Sequence, residues 1–468
     1  MLQRILTSVG RLAPNPESRI AALLVAGVFM PPFLQVLVQG LWLGYLLWNR
    51  RGDQERGDMQ RSNQQVSFLS RLSLPAWAQI LLVTLTMISL LWTSDLNEGW
   101  IELISKLPLF TWPIAFAIAA SQYPGLQKSL LRWTWMSSGV VGLVCVIDVL
   151  LRSQGPGFWF ADMVYENLAR ISGLHPIYLS IWVLMGMLAY FQDRVAGSDN
   201  PKGPLEAARY PAFIAHALYL GGSLFFLTLL SSRMALLTAL LLLTASVYFL
   251  YRTKRLRLVH APLLLLALLL PVVLIKSNEV NRSRYSEMVN LKGTYQSDRW
   301  GGRALRIQKW KHTLTCYLQF PVLGTGAGDF QKELLDTYRQ NQFSPGLEHR
   351  FNSHNQYLQT LATLGPLGLA LLLAWFLIPL RWHWEDRHWL GIAAVLLMAA
   401  SMVTESLLER QKGIYLVGLL ANGYFCFRKH PSNPHPSNPH PPNPHPINPH
   451  PINPLNTAPH EPLAPQAL

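Results

Sequence analysis

Long apolar runs recur along most of the chain, and the charged residues fall largely between them. A helix that crosses about 30 Å of hydrocarbon needs about 20 mostly apolar residues. The pattern predicts twelve membrane-spanning helices, several of them shorter than this length. Their approximate bounds are 19–31, 33–48, 75–93, 107–120, 133–151, 175–191, 210–229, 234–251, 259–275, 357–380, 388–404 and 412–427. Only Pro31 and Pro32 separate the first two, which form either a short hairpin or one broken helix.

The composition agrees with an integral membrane protein. Of the 468 residues, 50% are hydrophobic and 14% are charged, whereas about 25% are charged in a soluble domain. The formal net charge of +14 is attributed to basic cytoplasmic loops that meet anionic lipid, and not to a nucleic-acid partner. The three scattered cysteines cannot form a disulfide framework or a metal knuckle. We therefore predict an all-α polytopic membrane protein without a metal or cofactor.

Basic residues indicate how the chain is oriented. Clusters of Lys and Arg follow the second, sixth, eighth, tenth and twelfth predicted spans. Such clusters in short loops stay in the cytoplasm, and an even number of spans places all of them on that side. Both termini are then cytoplasmic.

This topology divides the chain into five segments. They are the N-terminal spans and a cytoplasmic loop (1–74), a transmembrane core (75–275), an extracytoplasmic loop (276–356), the C-terminal spans (357–428) and a tail (429–468). The tail begins with a five-residue Pro, Asn and His repeat, "HPSNP", whose Pro density predicts a disordered chain.

The extracytoplasmic loop is long enough to suggest a function. Its stretch "DRWGGRALRIQKWKHTLTCYL" predicts an amphipathic helix with an apolar stripe at Ile307, Trp310, Leu314 and Leu318. A basic helix of this kind tends to lie in the membrane interface. The following "PVLGTGAGDF" indicates a tight turn, because its glycine pattern lacks the strand and the cytosolic setting of a nucleotide site.

Ionisable residues gather at the predicted outer ends of the spans. They are Arg170, His175, Arg233, Arg299, Arg303, Arg306, His354, Glu405, Glu409 and Arg410. Because ionisable groups at membrane depth are costly, they usually line a cavity or pair with each other. An outward cationic cavity suits an anionic lipid-linked substrate, especially a pyrophosphate, which arginine holds by paired hydrogen bonds.

Several of these residues also have a structural interpretation. Arg233 can anchor a span at the headgroups, and the loop arginines can bind anionic lipid. The acidic and basic residues of the segment Glu405–Arg410 can form an i, i+4 ion-pair cluster that closes a helix end. His175 precedes Pro176, which is an ordinary helix start.

His354 stands where a polar stretch meets the tenth predicted span. Asn352 or Ser353 is the predicted N-cap, which places His354 in the first helical turn. The positive helix end would keep the imidazole neutral, as a general base requires. A histidine at a helix start can also serve only for capping or packing.

The stretch "SHNQYLQTLATLGPLGLALLL" resembles the H-N-x-Y-L…G-x-x-G signature of the O-antigen ligase and polymerase superfamily. "RWGGRALRIQKWKHTLTCYLQFPVLGTGAGDF" resembles the long extracytoplasmic loop of that family. Three further stretches, "LISKLPLFTWPIAFA", "SSRMALLTALLL" and "TESLLERQKG", resemble its other segments. The similarity covers about residues 75–427, in the order and topology of the family.

The resemblance implies a metal-independent glycosyltransferase of the bacterial inner membrane. Such an enzyme moves a glycan from undecaprenyl pyrophosphate to an acceptor hydroxyl on the periplasmic face. His354 would activate that hydroxyl, and Arg233 with Arg299 or Arg303 would hold the pyrophosphate. Supporting residues would be Arg170, His175, Asn355, Glu405, Glu409 and Arg410. Where many ligases have a second histidine beside the catalytic one, this chain has Asn355.

The expected function is that of an O-antigen ligase, with lipid A–core as the acceptor and membrane lipids as further partners. A polymerase of the same superfamily, with the growing glycan as acceptor, and a protein-glycosylating relative are alternatives. A transporter of lipid-linked glycans is an alternative from another class. It would predict internal repeats and basic residues in the middle of spans, which we do not find in the sequence.

Overall fold

The computed structural model describes residues 15–55, 72–152, 163–196, 211–232, 235–241, 244, 269, 271–276, 282 and 303–425. The regular elements within these residues are all helical, so the predicted all-α class is confirmed. Arg233, Arg299, the repeat tail and most of the predicted spans at 234–251 and 259–275 lie outside the described residues.

Fourteen α-helices are described here. They are α1 Pro16–Gly27, α2 Pro32–Glu55, α3 Leu74–Ile88, α4 Leu96–Gln122, α5 Leu126–Arg152, α6 Glu166–Ala169, α7 Pro176–Phe191, α8 Pro211–Leu229, α9 Arg303–Gln319, α10 Phe330–Gln340, α11 Ser344–Glu348, α12 Gln356–Glu385, α13 Trp389–Thr404 and α14 Gln411–Leu420.

Among the described residues, four helices are long and apolar enough to cross a membrane. They are α4, α5, α12, and α3 with its 3₁₀ extension to Leu91. A fifth span results if Glu166–Ser172 and Pro176–Arg194, which are bent by 71° at a break, are counted together. The segments Leu218–Leu229 and Trp389–Thr404 are shorter apolar helices. The protein is therefore a helical membrane protein, whereas the count of twelve spans and their orientation stay predictions.

The Pro31–Pro32 pair separates two helices that pack against each other. The side-chain amide of Gln35 donates to the carbonyl groups of Gly27 and Val28, at 3.1 and 3.2 Å. These carbonyls lie at the end of α1, where helical donors run out, and Gly27 also accepts from the N–H of Met30 at 3.1 Å. The break after α1 is thus closed by a side chain of α2.

Helix α4 begins eleven residues earlier than the predicted span at 107–120, at Leu96. Glu102 and Lys106, which precede the predicted span, lie inside the helix. Their side chains form an i, i+4 ion pair of 2.5 Å, so both charges have a partner. The helix therefore continues through a stretch that hydropathy alone excludes.

An aromatic cluster fills the centre of the bundle. Trp112 of α4 is fully buried and contacts Trp42 of α2 and Tyr415 of α14, at ring distances of 5.9 and 5.1 Å. Gly418 allows this approach, because a Cβ atom there would lie 2.1 Å from the Trp112 ring. The cluster holds α2, α4 and α14 together.

Helix α12 is broken near Gly365, whose φ of 68° is left-handed, and Pro366 follows it. Proline has no N–H and cannot pair with the carbonyl four residues earlier, which belongs to Ala362. The loop between α9 and α10 supplies the missing donors. The N–H groups of Thr325 and Gly326 donate to Ala362 and Thr363, at 2.9 and 3.0 Å.

The glycines of this loop permit the close contact with α12. Gly324 and Gly326 have φ of 72° and 87°, which favours glycine. A Cβ atom on Gly324 would lie 2.5 Å from the backbone of Thr363. The predicted tight turn is confirmed, and it fixes the end of α9 against the helix that follows His354.

Candidate functional site

His354 lies just before α12 and not inside its first turn. The N-cap is Asn355, whose side chain accepts from the N–H of Leu358 at 3.1 Å. The prediction of an N-cap at Asn352 or Ser353 was therefore wrong. His354 has a left-handed φ of 47°, because the side chain of Asn352 accepts its N–H at 3.1 Å and closes a local turn.

The ring of His354 pairs with Glu405. Its Nδ1 lies 3.2 Å from Oε2 of the carboxylate. Glu405 is the residue that follows α13, and it is buried. Since the connection between α13 and α14 is irregular apart from a 3₁₀ turn, the i, i+4 ion-pair cluster considered for Glu405–Arg410 does not form. The carboxylate that orients His354 thus comes from a segment 51 residues away in sequence.

Hydrogen bonds join the two segments that carry this pair. The N–H of Asn355 donates to the hydroxyl of Ser406 at 3.2 Å. The N–H of Leu408 donates to the side-chain carbonyl of Gln356 at 2.7 Å. Ser353 and Ser406 are both buried, and their hydroxyls lie 3.4 Å apart. These contacts fix the geometry of His354 and Glu405 through the backbone on both sides.

Basic groups act electrostatically on the Glu405 carboxylate. Burial by itself would raise the pKa of Glu405. The hydrogen bond and charge of His354, together with the charges of His175 and Arg306, outweigh burial and lower it. Glu405 is therefore a carboxylate at neutral pH, and it accepts the hydrogen bond of the imidazole.

His175 is the N-cap of α7, with Pro176 in the first turn as predicted. Its Nδ1 accepts from the N–H of Ile177 at 3.4 Å. The ring also interacts electrostatically with Glu405 and His354. The helix-start interpretation is confirmed, and the same residue lies close enough to act on the His354–Glu405 pair.

Lys309 is a member of this site that the sequence did not single out. It lies on α9, three residues after Arg306, and is only 3% exposed. Its Nζ sits 3.5 Å from the centre of the Phe351 ring, which in turn contacts His354 edge-on at 6.2 Å. Of the predicted stripe, Ile307, Leu314 and Leu318 are exposed and Trp310 is partly buried, so α9 packs inward mainly through its other face.

A second ionic cluster lies beside the first. Glu409 accepts from the side-chain amide of Gln356 at 2.9 Å and lies 3.5 Å from the ammonium of Lys106. Lys106 also pairs with Glu102. Glu409 and Glu405 belong to the same short connection, so Lys106 holds that connection against α4. An i, i+4 spacing of Glu102 and Lys106 was the available sequence signal for this pairing.

The remaining predicted residues have different positions. Arg170 and Arg410 are exposed, and Arg410 acts electrostatically on His175. Arg303 begins α9, where the structure describes its backbone alone. Arg233 and Arg299 lie outside the described residues. Within the part of the chain that the structure describes, no group of three His, Cys, Asp or Glu side chains is arranged to hold a metal ion.

Comparison with known proteins finds one similarity that covers part of this site. A family model described as O-antigen ligase matches residues 218–373. The match includes α9, His354, Arg306 and Lys309, and ends inside α12. His175 and Glu405 lie outside it. No curated protein matches the chain.

Proposed function

We propose that this chain, whose residues 218–373 match the family model described as O-antigen ligase, is a metal-independent membrane glycosyltransferase of the ligase type. It moves a glycan from undecaprenyl pyrophosphate to a hydroxyl of lipid A–core on the periplasmic face of the bacterial inner membrane. The observation that supports this proposal is the His354–Glu405 pair, at 3.2 Å, among basic side chains.

In this reaction His354 is the general base. Glu405 holds Nδ1 of the ring, which leaves Nε2 to accept the proton of the acceptor hydroxyl. As the proton moves to Nε2, the acceptor oxygen forms a bond to the anomeric carbon of the donor. The bond from that carbon to the pyrophosphate oxygen breaks, and the electron pair leaves with the pyrophosphate. Glu405 stabilises the resulting imidazolium, which later gives its proton to solvent.

The pyrophosphate gains negative charge as it departs, and cationic side chains stabilise that charge. Arg306 is the described arginine whose charge acts on Glu405. Arg233, Arg299 and Arg303 are proposed to complete the group, since arginine can hold phosphate oxygens by paired hydrogen bonds. In this mechanism, protein cations take the part that a metal ion takes in other transferases.

A deletion strain tests this function. In cells that lack the gene, we expect unattached lipid-linked polymer to accumulate and polymer on lipid A–core to disappear. Wild type should restore attachment, whereas His354→Ala should not, because loss of a general base costs roughly 10²–10⁴ in rate. Gel analysis of lipopolysaccharide and of the lipid-linked fraction reads out both quantities.

His388 supplies the control, since this histidine lies at the start of α13, at the other end of that helix from Glu405. His388→Ala should restore attachment, at membrane levels equal to those of His354→Ala. Full restoration by His354→Ala would refute the assignment of the base. A deletion strain that carries single repeat units on lipid A–core would instead identify a polymerase.

A further inference from the structure

Lys309 is a buried cation without a counter-ion. Its side chain is 3% exposed, and among the described residues its ammonium group forms neither an ion pair nor a hydrogen bond. Its close neighbour is the face of the Phe351 ring, at 3.5 Å. A cation–π contact offsets part of the cost of removing an ammonium from water, but buried charges are normally paired.

The nearby charges do not supply that pair. Glu405 attracts Lys309, but its carboxylate is bonded to His354. Arg306, one turn earlier on α9, repels it. His349 and His354 both contact the Phe351 ring on which Lys309 rests. Among the described charges that act on Lys309, Arg306 is therefore a second cation, and the carboxylate of Glu405 is already engaged by His354.

We propose that Lys309 is a binding residue for the diphosphate of the donor, and that Phe351 holds its ammonium group in place for that contact. This inference rests on the proposed function for the identity of the donor. The ligand class is a phosphate-type anion, because a compact ammonium binds such oxygens as a point charge. Phe351 also contacts the ring of His354, and it thereby connects the donor anion to the base.

Binding of the anion should be coupled to uptake of a proton. Burial and the charge of Arg306 lower the pKa of Lys309 to about 7, although the charge of Glu405 acts in the opposite direction. Below this pH the ammonium is already charged. Above it, the anion binds the charged form only after Lys309 takes up a proton, so the contribution of Lys309 falls by at most about tenfold per pH unit.

Inorganic pyrophosphate is the probe, and the full-length protein in detergent is the sample. The rise in unfolding temperature with pyrophosphate concentration gives an apparent dissociation constant. At pH 6.5 we expect Lys309→Met to weaken binding by about tenfold or more, the effect of losing a hydrogen bond to a charged group. Lys311→Met is the matched control, because Lys311 is an exposed lysine on the same helix, and its constant should stay within about twofold of wild type.

The pH dependence separates a binding role from a structural one. The ratio of the dissociation constants of Lys309→Met and wild type should fall between pH 6.5 and 8.5, and the ionisation of the probe cancels in this ratio. A purely structural lysine would change the starting unfolding temperature and leave the ratio near one. Lys309→Gln, which keeps a polar side chain, replaces the Met variant if that variant does not fold.

Equal dissociation constants for Lys309→Met and Lys311→Met would overturn the inference. The inference would also be overturned if the ratio of the dissociation constants of Lys309→Met and wild type did not change with pH. Transfer activity is measured separately on the same samples. Suppose that Lys309→Met no longer binds pyrophosphate and that the wild-type protein transfers no glycan. This result would uphold the anion site and refute the proposed function. Suppose instead that the wild-type protein transfers glycan and that Lys309→Met binds pyrophosphate as wild type does. This result would uphold the proposed function and refute the anion site at Lys309.

Discussion

At the residue scale, the arrangement of His354 and Glu405 determines what the site can do. The imidazole is held by a carboxylate on Nδ1, at 3.2 Å, and by a backbone in a left-handed conformation. A left-handed non-glycine residue costs free energy, which the surrounding hydrogen bonds must supply. A side chain that is only packed or capping has no need of a buried carboxylate partner, so this arrangement favours a chemical role.

Glu405→Gln tests the orienting carboxylate. The amide is nearly the same size but cannot stabilise an imidazolium by charge, so we expect glycan transfer to fall by roughly tenfold to a hundredfold. Glu405→Asp is the comparison that keeps the charge, and it should recover part of the rate. Transfer by Glu405→Gln at the wild-type rate would show that the pair has no part in the reaction.

The pH dependence of this variant follows from the lowered pKa of Glu405. A carboxylate whose pKa is lowered in the folded protein stays charged above its ordinary value of 4.5, and its contribution is lost only as the pH falls through the lower value. The deficit of Glu405→Gln relative to wild type should therefore be constant between about pH 7.5 and 9, above the range in which a histidine ordinarily takes up its proton. A deficit that disappears within this range would contradict the interpretation.

At the element scale, the connection between α13 and α14 joins the two ionic clusters. It supplies Glu405 to His354 and Glu409 to Lys106, four residues apart. Hydropathy predicted both flanking helices but could not predict this connection, because its structure depends on partners in α4 and before α12. The early start of α4 escaped prediction for the same reason: the charge of Lys106 is acceptable only when two carboxylates are near.

Lys106→Met tests this element. It removes the ammonium and leaves buried carboxylates without their cation, which typically costs about 3–5 kcal/mol. We expect a clear fall in the unfolding temperature of the protein in detergent. Glu409→Gln added to Lys106→Met should recover part of the loss, since it removes one of the stranded charges.

The control for this prediction is an ion pair at the surface. Arg381 and Glu385 form an i, i+4 pair of 2.8 Å, but the arginine side chain is 81% exposed. Such pairs contribute below about 1 kcal/mol. Arg381→Met should therefore change the unfolding temperature much less than Lys106→Met. Equal effects would mean that the buried cluster has no special part in stability.

At the scale of the whole molecule, the sequence predicted a helical membrane protein, and the resemblance it shows agrees with the family model that matches residues 218–373. The sequence also predicted His354, His175 and Glu405 as members of one group. The structure brings these three together, although they lie in three different parts of the chain. The sequence alone could not predict the position of Lys309, because hydropathy assigns a lysine to the polar face of α9. The face of α9 that packs inward contains Lys309, His312 and Thr313, while the apolar Ile307 and Leu318 are exposed.

The measurement that tests the central claim most directly is glycan transfer by purified protein in lipid vesicles. The assay contains an undecaprenyl-pyrophosphate-linked glycan, lipid A–core and a chelator, and it follows glycosylated lipid A–core and released undecaprenyl pyrophosphate together. We predict that wild type forms both products in equal amounts, and that His354→Ala, reconstituted to the same level, forms them at least about a hundredfold more slowly. Undiminished transfer by His354→Ala would contradict the account.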